Sequence, residues 1–157
     1  MVARQVERVE WAQTCSAPSF HSARRPRGTK GLGVTYERKL AKALTKGGWA
    51  HTYGQWFAYG DGGARHLCQP DFILTDWELV VLECKLTRVE EALAQLEGLY
   101  VPVLTAVYKR PVHAIVVTRS LSRCPWDIQV EDNLAGAVRH AVLGRRVVLH
   151  WIGSGPI

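Results

Sequence analysis

The run Val112–Thr118, VHAIVVT, is apolar along almost its whole length and is broken only by His113. Such a run suits a buried central strand, and a strand buried on both faces requires helices above and below its sheet. The rest of the sequence supplies them. Tyr36, Leu40, Ala43 and Leu44 recur at helical spacing within Gly33–Lys46, and Gly47-Gly48 stops that helix. Thr87-Arg88-Val89-Glu90 has the form of a capping box. The helix it opens carries Val89, Ala92, Leu93, Leu96 and Leu99 on one face and is expected to close at Pro102. A third helix spans Asn133–Gly144, with Leu134, Val138, Ala141 and Val142 turned inward.

Between the helices lie strand patterns. Trp49–Tyr59 has the aromatic content of a strand, and Asp61-Gly62-Gly63 reads as a turn. Asp71–Leu74 and Leu79–Lys85 flank Thr75–Glu78 as a β-hairpin, and Arg146–Trp151 is a last strand. The predicted order is α-β-β-β-α-β-α-β, an α/β fold with a central mixed sheet flanked by helices. Residues 1–30 read as an appendage, a basic N-terminal arm, and residues 31–157 as one domain. Within the arm, Val2, Val6 and Val9 suggest a short helix anchored by Trp11. No apolar run approaches the ~20 residues that a bilayer requires, and Met1–Glu10 has no apolar stretch of the kind a secretory signal needs. The expected location is therefore intracellular, the cytoplasm, for a prokaryotic or viral protein.

The charge points to a partner. The formal net charge is +6, and arginine outnumbers lysine 14 to 6. Guanidinium groups bind phosphate oxygens bidentately, so an arginine-rich surface suits nucleic acid. Eight of the cations fall between His21 and Lys46, with Glu37 the one acid among them. Arg24, Arg25, Arg27, Lys30, Arg38, Lys39 and Lys42 are accordingly candidate DNA contacts. Arg65 and His66 are candidate phosphate contacts from the loop after the glycine turn. The four cysteines, Cys15, Cys68, Cys84 and Cys124, form no CxxC pair, so zinc is disfavoured and free thiols are expected.

The hairpin carries the chemistry. A three-residue loop at Asp76, Trp77 and Glu78 places Asp71 opposite Glu83, whereas a two-residue loop would offset it by one. Glu83 and Lys85 share a face, and Cys84 points to the other, packed side. Two carboxylates on an otherwise apolar sheet repel each other, and a divalent cation removes that cost. Carboxylate oxygens suit Mg²⁺, with Mn²⁺ as a substitute, and a metal-bound water attacks phosphorus more readily than a free one. Lys85 can orient that water or stabilise the pentavalent phosphorane. Asp71, Glu83 and Lys85 are thus candidate catalytic residues for phosphodiester hydrolysis.

Pro70-Asp71, followed after eleven residues by Glu83-Cys84-Lys85, resembles the PD-(D/E)xK nuclease superfamily. The resemblance covers Gly33 to Thr118, about half the chain. It implies a restriction-endonuclease-like core. It also implies that Glu37 joins Asp71 and Glu83 at the metal, and that the backbone carbonyl of Cys84 is a further ligand. Gly33-Val34-Thr35-Tyr36-Glu37-Arg38 and the pair Gln95-Leu96 are most similar to the archaeal-type Holliday-junction resolvases. That likeness implies a Mg²⁺-dependent homodimer that cuts branched DNA, four-way junctions above all, with Gln95 near the DNA. Val101, Val103, Leu104, Val107, Tyr108 and Trp151 are candidates for the dimer patch. The family's loop serine has no counterpart in Gly60–His66. Gln95 with Tyr100 also resembles the glutamine-tyrosine motif of RecB-type exonucleases. An exonuclease, and a non-catalytic DNA-binding protein on the same fold, are the alternatives.

Overall fold

The computed structural model of the protein describes residues 4–19 and 28–157. It is an α/β structure in which helices flank a mixed sheet. In chain order the elements are β1 (Trp11–Cys15), α1 (Gly28–Lys46), β2 (His51–Tyr53), β3 (Trp56–Asp61), β4 (Ala64–Cys68), β5 (Phe72–Leu74) and β6 (Leu79–Lys85). Then come α2 (Val89–Gln95), a π-helical turn (Leu96–Tyr100), α3 (Val101–Tyr108), β7 (Val112–Thr118), β8 (Gln129–Glu131), α4 (Leu134–Val142) and β9 (Val147–His150).

The main sheet has the order β2-β5-β6-β7-β9-β8. β2, β5 and β6 pair antiparallel, while β6, β7, β9 and β8 run parallel. Alternate side chains of β6 divide the core. Val80, Leu82 and Cys84 pack with Tyr36, Leu40 and Leu44 of α1 and with Leu134 and Ala137 of α4. Leu79 and Val81 pack with Val89, Leu93, Leu96, Tyr100 and Leu104 on the opposite face. Val112–Thr118 is the interior strand its composition predicts, paired on both sides.

A second, three-stranded sheet has the order β1-β3-β4. β2 continues into β3 and β4 into β5, so two neighbouring strands leave one sheet for the other together. Gly54, at a φ of 67°, makes the break on one strand. Pro70, which has no N–H to give a ladder, makes it on the other. The bend is held by Gly54 N donating to Asp71 O at 2.9 Å. Asp71 therefore stands where the two sheets part.

Several local expectations are corrected. The helix expected over Val2–Trp11 is absent from its described part, which is loop from Arg4, and Trp11 begins a strand paired with β3. Trp49–Tyr59 is two strands, broken at Gly54. Ala64–Cys68 is a strand, because Gly62 and Gly63 at φ 63° and 78° suit a tight hairpin turn that returns the chain along β3. The capping box is not formed. Arg88 occupies the N-cap without a side-chain hydrogen bond, and α2 begins at Val89. Pro102 does not close the helix, which runs on to Tyr108 and ends with Lys109 in the left-handed region at φ 53°. The expected dimer patch is occupied internally: Val103, Leu104 and Trp151 are buried, and Val101, Val107 and Tyr108 pack against the core. Asn133 caps α4, its side chain accepting from Gly136 N at 2.8 Å. Among the described residues no helix is long and apolar enough to cross a membrane.

The indole of Trp11 lies on Gly60, its partner across the β1–β3 ladder, and a Cβ at position 60 would come within 2.2 Å of it. Gly60→Ala must push the indole off β3. We expect it to lower the unfolding free energy by about 2 kcal/mol in a urea titration.

Candidate active site

Four charged side chains meet at the C-terminal end of β6. The hairpin turn aligns Phe72 with Leu82, Ile73 with Val81 and Leu74 with Val80, which is the register the three-residue loop predicts. One step further, beyond the ladder, Asp71 faces Glu83. Its Oδ2 accepts the backbone N–H of Cys84 at 2.8 Å. In a strand the N–H and C=O of one residue face the same neighbour, so the Cys84 carbonyl also lies on the Asp71 side. Glu83 is 5% exposed, and its Oε2 is buried with no hydrogen-bond partner among the described residues. Lys85 follows on the same face, half-buried, opposite Thr118 of β7.

Glu37 reaches the cluster from α1. Tyr36 beside it is buried, its hydroxyl donating to Trp151 O at 2.7 Å, and this fixes the rotation of α1. Tyr53 donates its hydroxyl to Glu37 Oε2 at 3.3 Å and stacks on Phe72 at 4.6 Å between ring centroids. Glu37 and Glu83 both feel the charge of the Asp71 carboxyl.

Burial in a poorly hydrated place raises all three carboxyls. Burial first, and then the charge of Asp71, push Glu37 up to about 7, against the pull of the Tyr53 hydroxyl and Lys85. Burial raises Asp71 as well, although the Cys84 N–H works against it. Glu83 is held well above the ordinary carboxylate range, by burial and then by Asp71. Burial, followed by Asp71, likewise raises the Cys84 thiol on the other side of the strand. The cluster holds more negative potential than its surroundings support.

A divalent cation suits this donor set. The buried, unpartnered Glu83 Oε2 needs a counter-charge, the neighbouring Asp71 supplies a second hard oxygen, and the Cys84 carbonyl faces them. Among the described residues no three His, Cys, Asp or Glu side chains are grouped to hold a metal ion. A cation here would therefore rest on Asp71, Glu83, the Cys84 carbonyl and water, a sparse protein set of the kind Mg²⁺ accepts. Glu37 would act from beside it.

The other residues singled out from sequence are dispersed. Arg38, Lys39 and Lys42 are exposed along α1, the helix that bears Glu37. Arg65 is exposed on β4. His66 is engaged with Arg4 at 2.9 Å and packs on Tyr59, away from the carboxyls. Gln95 directs its amide to Tyr100 Oη at 2.7 Å. Arg24, Arg25, Arg27 and the side chain of Lys30 lie outside the described residues. Cys15, Cys68, Cys84 and Cys124 are free thiols. Two residues of the site's surroundings are not evident from sequence. Tyr53 is hidden in a run that reads as one strand, and Gln69 precedes the hairpin in a segment that carries no helix or strand signal.

No protein-family model matches the sequence, and no curated protein does. Among solved structures the chain is similar to "protein VC1899 from Vibrio cholerae", at 15% identity and a TM-score of 0.43, over 76% of this chain. The chain spans 30% of that protein's length.

A raised carboxyl makes stability depend on pH. Glu37 favours its protonated form more in the folded state than in the unfolded one. The stability this confers is present below the ordinary value of 4.5 and is lost as pH rises through about 7. Glu37→Gln removes the titration. In metal-free buffer the melting temperature of the parent chain should therefore fall relative to that of Glu37→Gln between pH 5 and pH 8, by roughly 5 °C. Parallel thermal scans across that range check it.

Proposed function

We propose that the chain is a metal-dependent DNA endonuclease with a restriction-endonuclease-like core, of the PD-(D/E)xK kind. The observation that carries this reading is Asp71 beside the buried Glu83, with a Glu83 oxygen that has no hydrogen-bond partner among the described residues and Lys85 on the same face. Asp71 and Glu83 would hold Mg²⁺, or Mn²⁺ in its place, with help from the Cys84 carbonyl. When bound, the cation supplies Lewis acidity and a water of lowered pKa. Lys85 is placed to donate to a phosphoryl oxygen as negative charge builds on it, or to orient the attacking water. Glu37, raised to about 7, can accept a proton at the same edge near neutral pH. Arg38, Lys39 and Lys42 lie along α1 as a row of exposed cations suited to a phosphate backbone.

The finer proposal is cleavage of branched DNA, as in Holliday-junction resolution by a two-fold homodimer with one site per subunit. With Val103, Leu104 and Trp151 committed to the core, such a dimer needs a surface elsewhere. A second reading, an exonuclease of RecB type, is favoured by one observation: Gln95 and Tyr100 are in direct contact at 2.7 Å.

One assay separates these readings: a four-way junction, a fork and linear duplex, each incubated with Mg²⁺ and with EDTA. Symmetric incisions at the junction support the resolvase. Shortening of linear duplex from its ends supports the exonuclease. DNA binding without a cut on any substrate leaves a DNA-binding protein. Asp71→Asn and Glu83→Gln should each lower cleavage by about a thousandfold while DNA affinity stays within a few-fold. Replacing Arg38, Lys39 and Lys42 by Ala should instead weaken binding. The slope of log K against log salt should also flatten, by about 0.9 for each DNA phosphate that no longer meets a cation. An unchanged slope removes α1 from the DNA interface.

A further inference from the structure

The helix behind the active site is interrupted by the π-helical turn at Leu96–Tyr100, where Val101 N bonds Leu96 O, five residues back. The interruption redirects side chains. Residues five apart on an α-helix point about 140° away from each other. A π turn closes over five residues and brings them to one side. Gln95 and Tyr100 meet for this reason, Gln95 Nε2 donating to Tyr100 Oη at 2.7 Å. Tyr100 in turn donates its hydroxyl to Gln69 O at 3.2 Å. Gln69 Nε2 donates to Gly54 O at 2.9 Å, and Gly54 N to Asp71 O at 2.9 Å. The bend that carries Asp71 is thus tied from both strands, and one tie runs to the π turn.

The π turn is itself supported from outside the helix. In an α-helix the N–H of residue 102 would bond the carbonyl of Gly98, but Pro102 has no N–H. Val6 N takes that carbonyl at 2.8 Å. Beside it, Gln5 Nε2 bonds Ala94 O at 3.1 Å. The approach depends on glycine, because a Cβ at position 98 would come within 1.8 Å of Gln5 Oε1. Pro102 leaves the carbonyl open, Gly98 clears the path to it, and the segment before β1 fills the place.

We propose that Gln5 and Val6 form a strap that holds the π turn, and that Tyr100 is a positioning residue through which the strap fixes Asp71 against Cys84. Its bearing on catalysis rests on the nuclease reading; the hydrogen bonds themselves do not. In this assignment Gln95 serves Tyr100 rather than DNA.

The test uses the full chain and two readouts. The first is amide hydrogen exchange at Cys84 in metal-free protein, with Val116 of the neighbouring strand as the internal reference. Val6→Pro removes the donor to Gly98, while Val6→Ala keeps the donor and removes the side chain. Tyr100→Phe removes only the hydroxyl. Val6→Pro and Tyr100→Phe should each speed exchange at Cys84 about tenfold relative to Val116, and Val6→Ala should not. The second readout is Mn²⁺ affinity by electron paramagnetic resonance, which should weaken about tenfold in the same two variants. Unchanged Cys84 exchange in Tyr100→Phe overturns the proposal, even if Val6→Pro does not fold. An equal effect of Val6→Ala and Val6→Pro overturns the strap, because side-chain packing would then explain it. If the parent chain binds no Mn²⁺ but Cys84 responds as stated, the strap is upheld and the nuclease reading fails.

Discussion

The seven-residue ladder between β6 and β7 takes one main-chain edge of β6 out of water, and β5 takes the other. Both faces of β6 are covered by helices. Once a strand is enclosed on four sides, only apolar residues are cheap along its length. Leu79 to Leu82 comply, and charge enters at the far end with Glu83 and Lys85. The same enclosure gives those charges their strength. A carboxylate there faces few water dipoles, so each neighbouring charge acts over a low effective dielectric. The parallel pairing thus decides both where the polar site can stand and how strongly its charges act on one another.

Such a site opposes the stability of its own domain. The carboxyls of Glu37, Asp71 and Glu83 are each raised, and burial is the first cause in every case. A core of similar size filled with leucine would be more stable. Groups that local energetics disfavour persist where a ligand or a reaction compensates for them. The protein answers locally. The Cys84 N–H holds one oxygen of Asp71, the Tyr53 hydroxyl holds one of Glu37, and Lys85 lies near both. Among the described residues, one oxygen of Glu83 has no such answer. The Cys84 thiol, directly behind, is buried and kept protonated, so it does not compete as a nucleophile or soft ligand.

Much of this is legible in the chain because it follows from period and parity. Val112–Thr118 reads as an interior strand from composition alone. Asp71, Glu83 and Lys85 share a face because strand side chains alternate. The helix at Tyr36–Leu44 and the one that starts at Asn133 follow from local signals. What the sequence does not reveal depends on partners distant in the chain. Trp11–Cys15 is a strand because β3 presents an edge and Gly60 leaves room for an indole. The Thr87 capping box gives way to the tight exit from β6, where Val89 N bonds Thr87 O. Pro102 looks like a terminator because its local rule ignores a donor from Val6, some ninety residues earlier. Gln95 and Tyr100 are on different faces of any regular helix, and only the π turn joins them.

The turn at Asp76–Glu78 gives the hairpin an unusual relation to evolutionary change. Trp77 is 90% exposed there, and exposed turns ordinarily accept insertions and deletions with little effect. Here the turn works as a ruler. Adding or removing one residue would slide β5 against β6 by one position, or force a bulge to absorb the change. Apolar residues on both faces of β5 would still find apolar neighbours after a slide, so the domain could fold. Asp71 would face Leu82 or Cys84 instead of Glu83, and the carboxyl pair would be gone. Length at this surface loop is therefore under a constraint that neither its exposure nor its composition reveals. Lineages of this chain should vary the residues of the turn far more freely than their number.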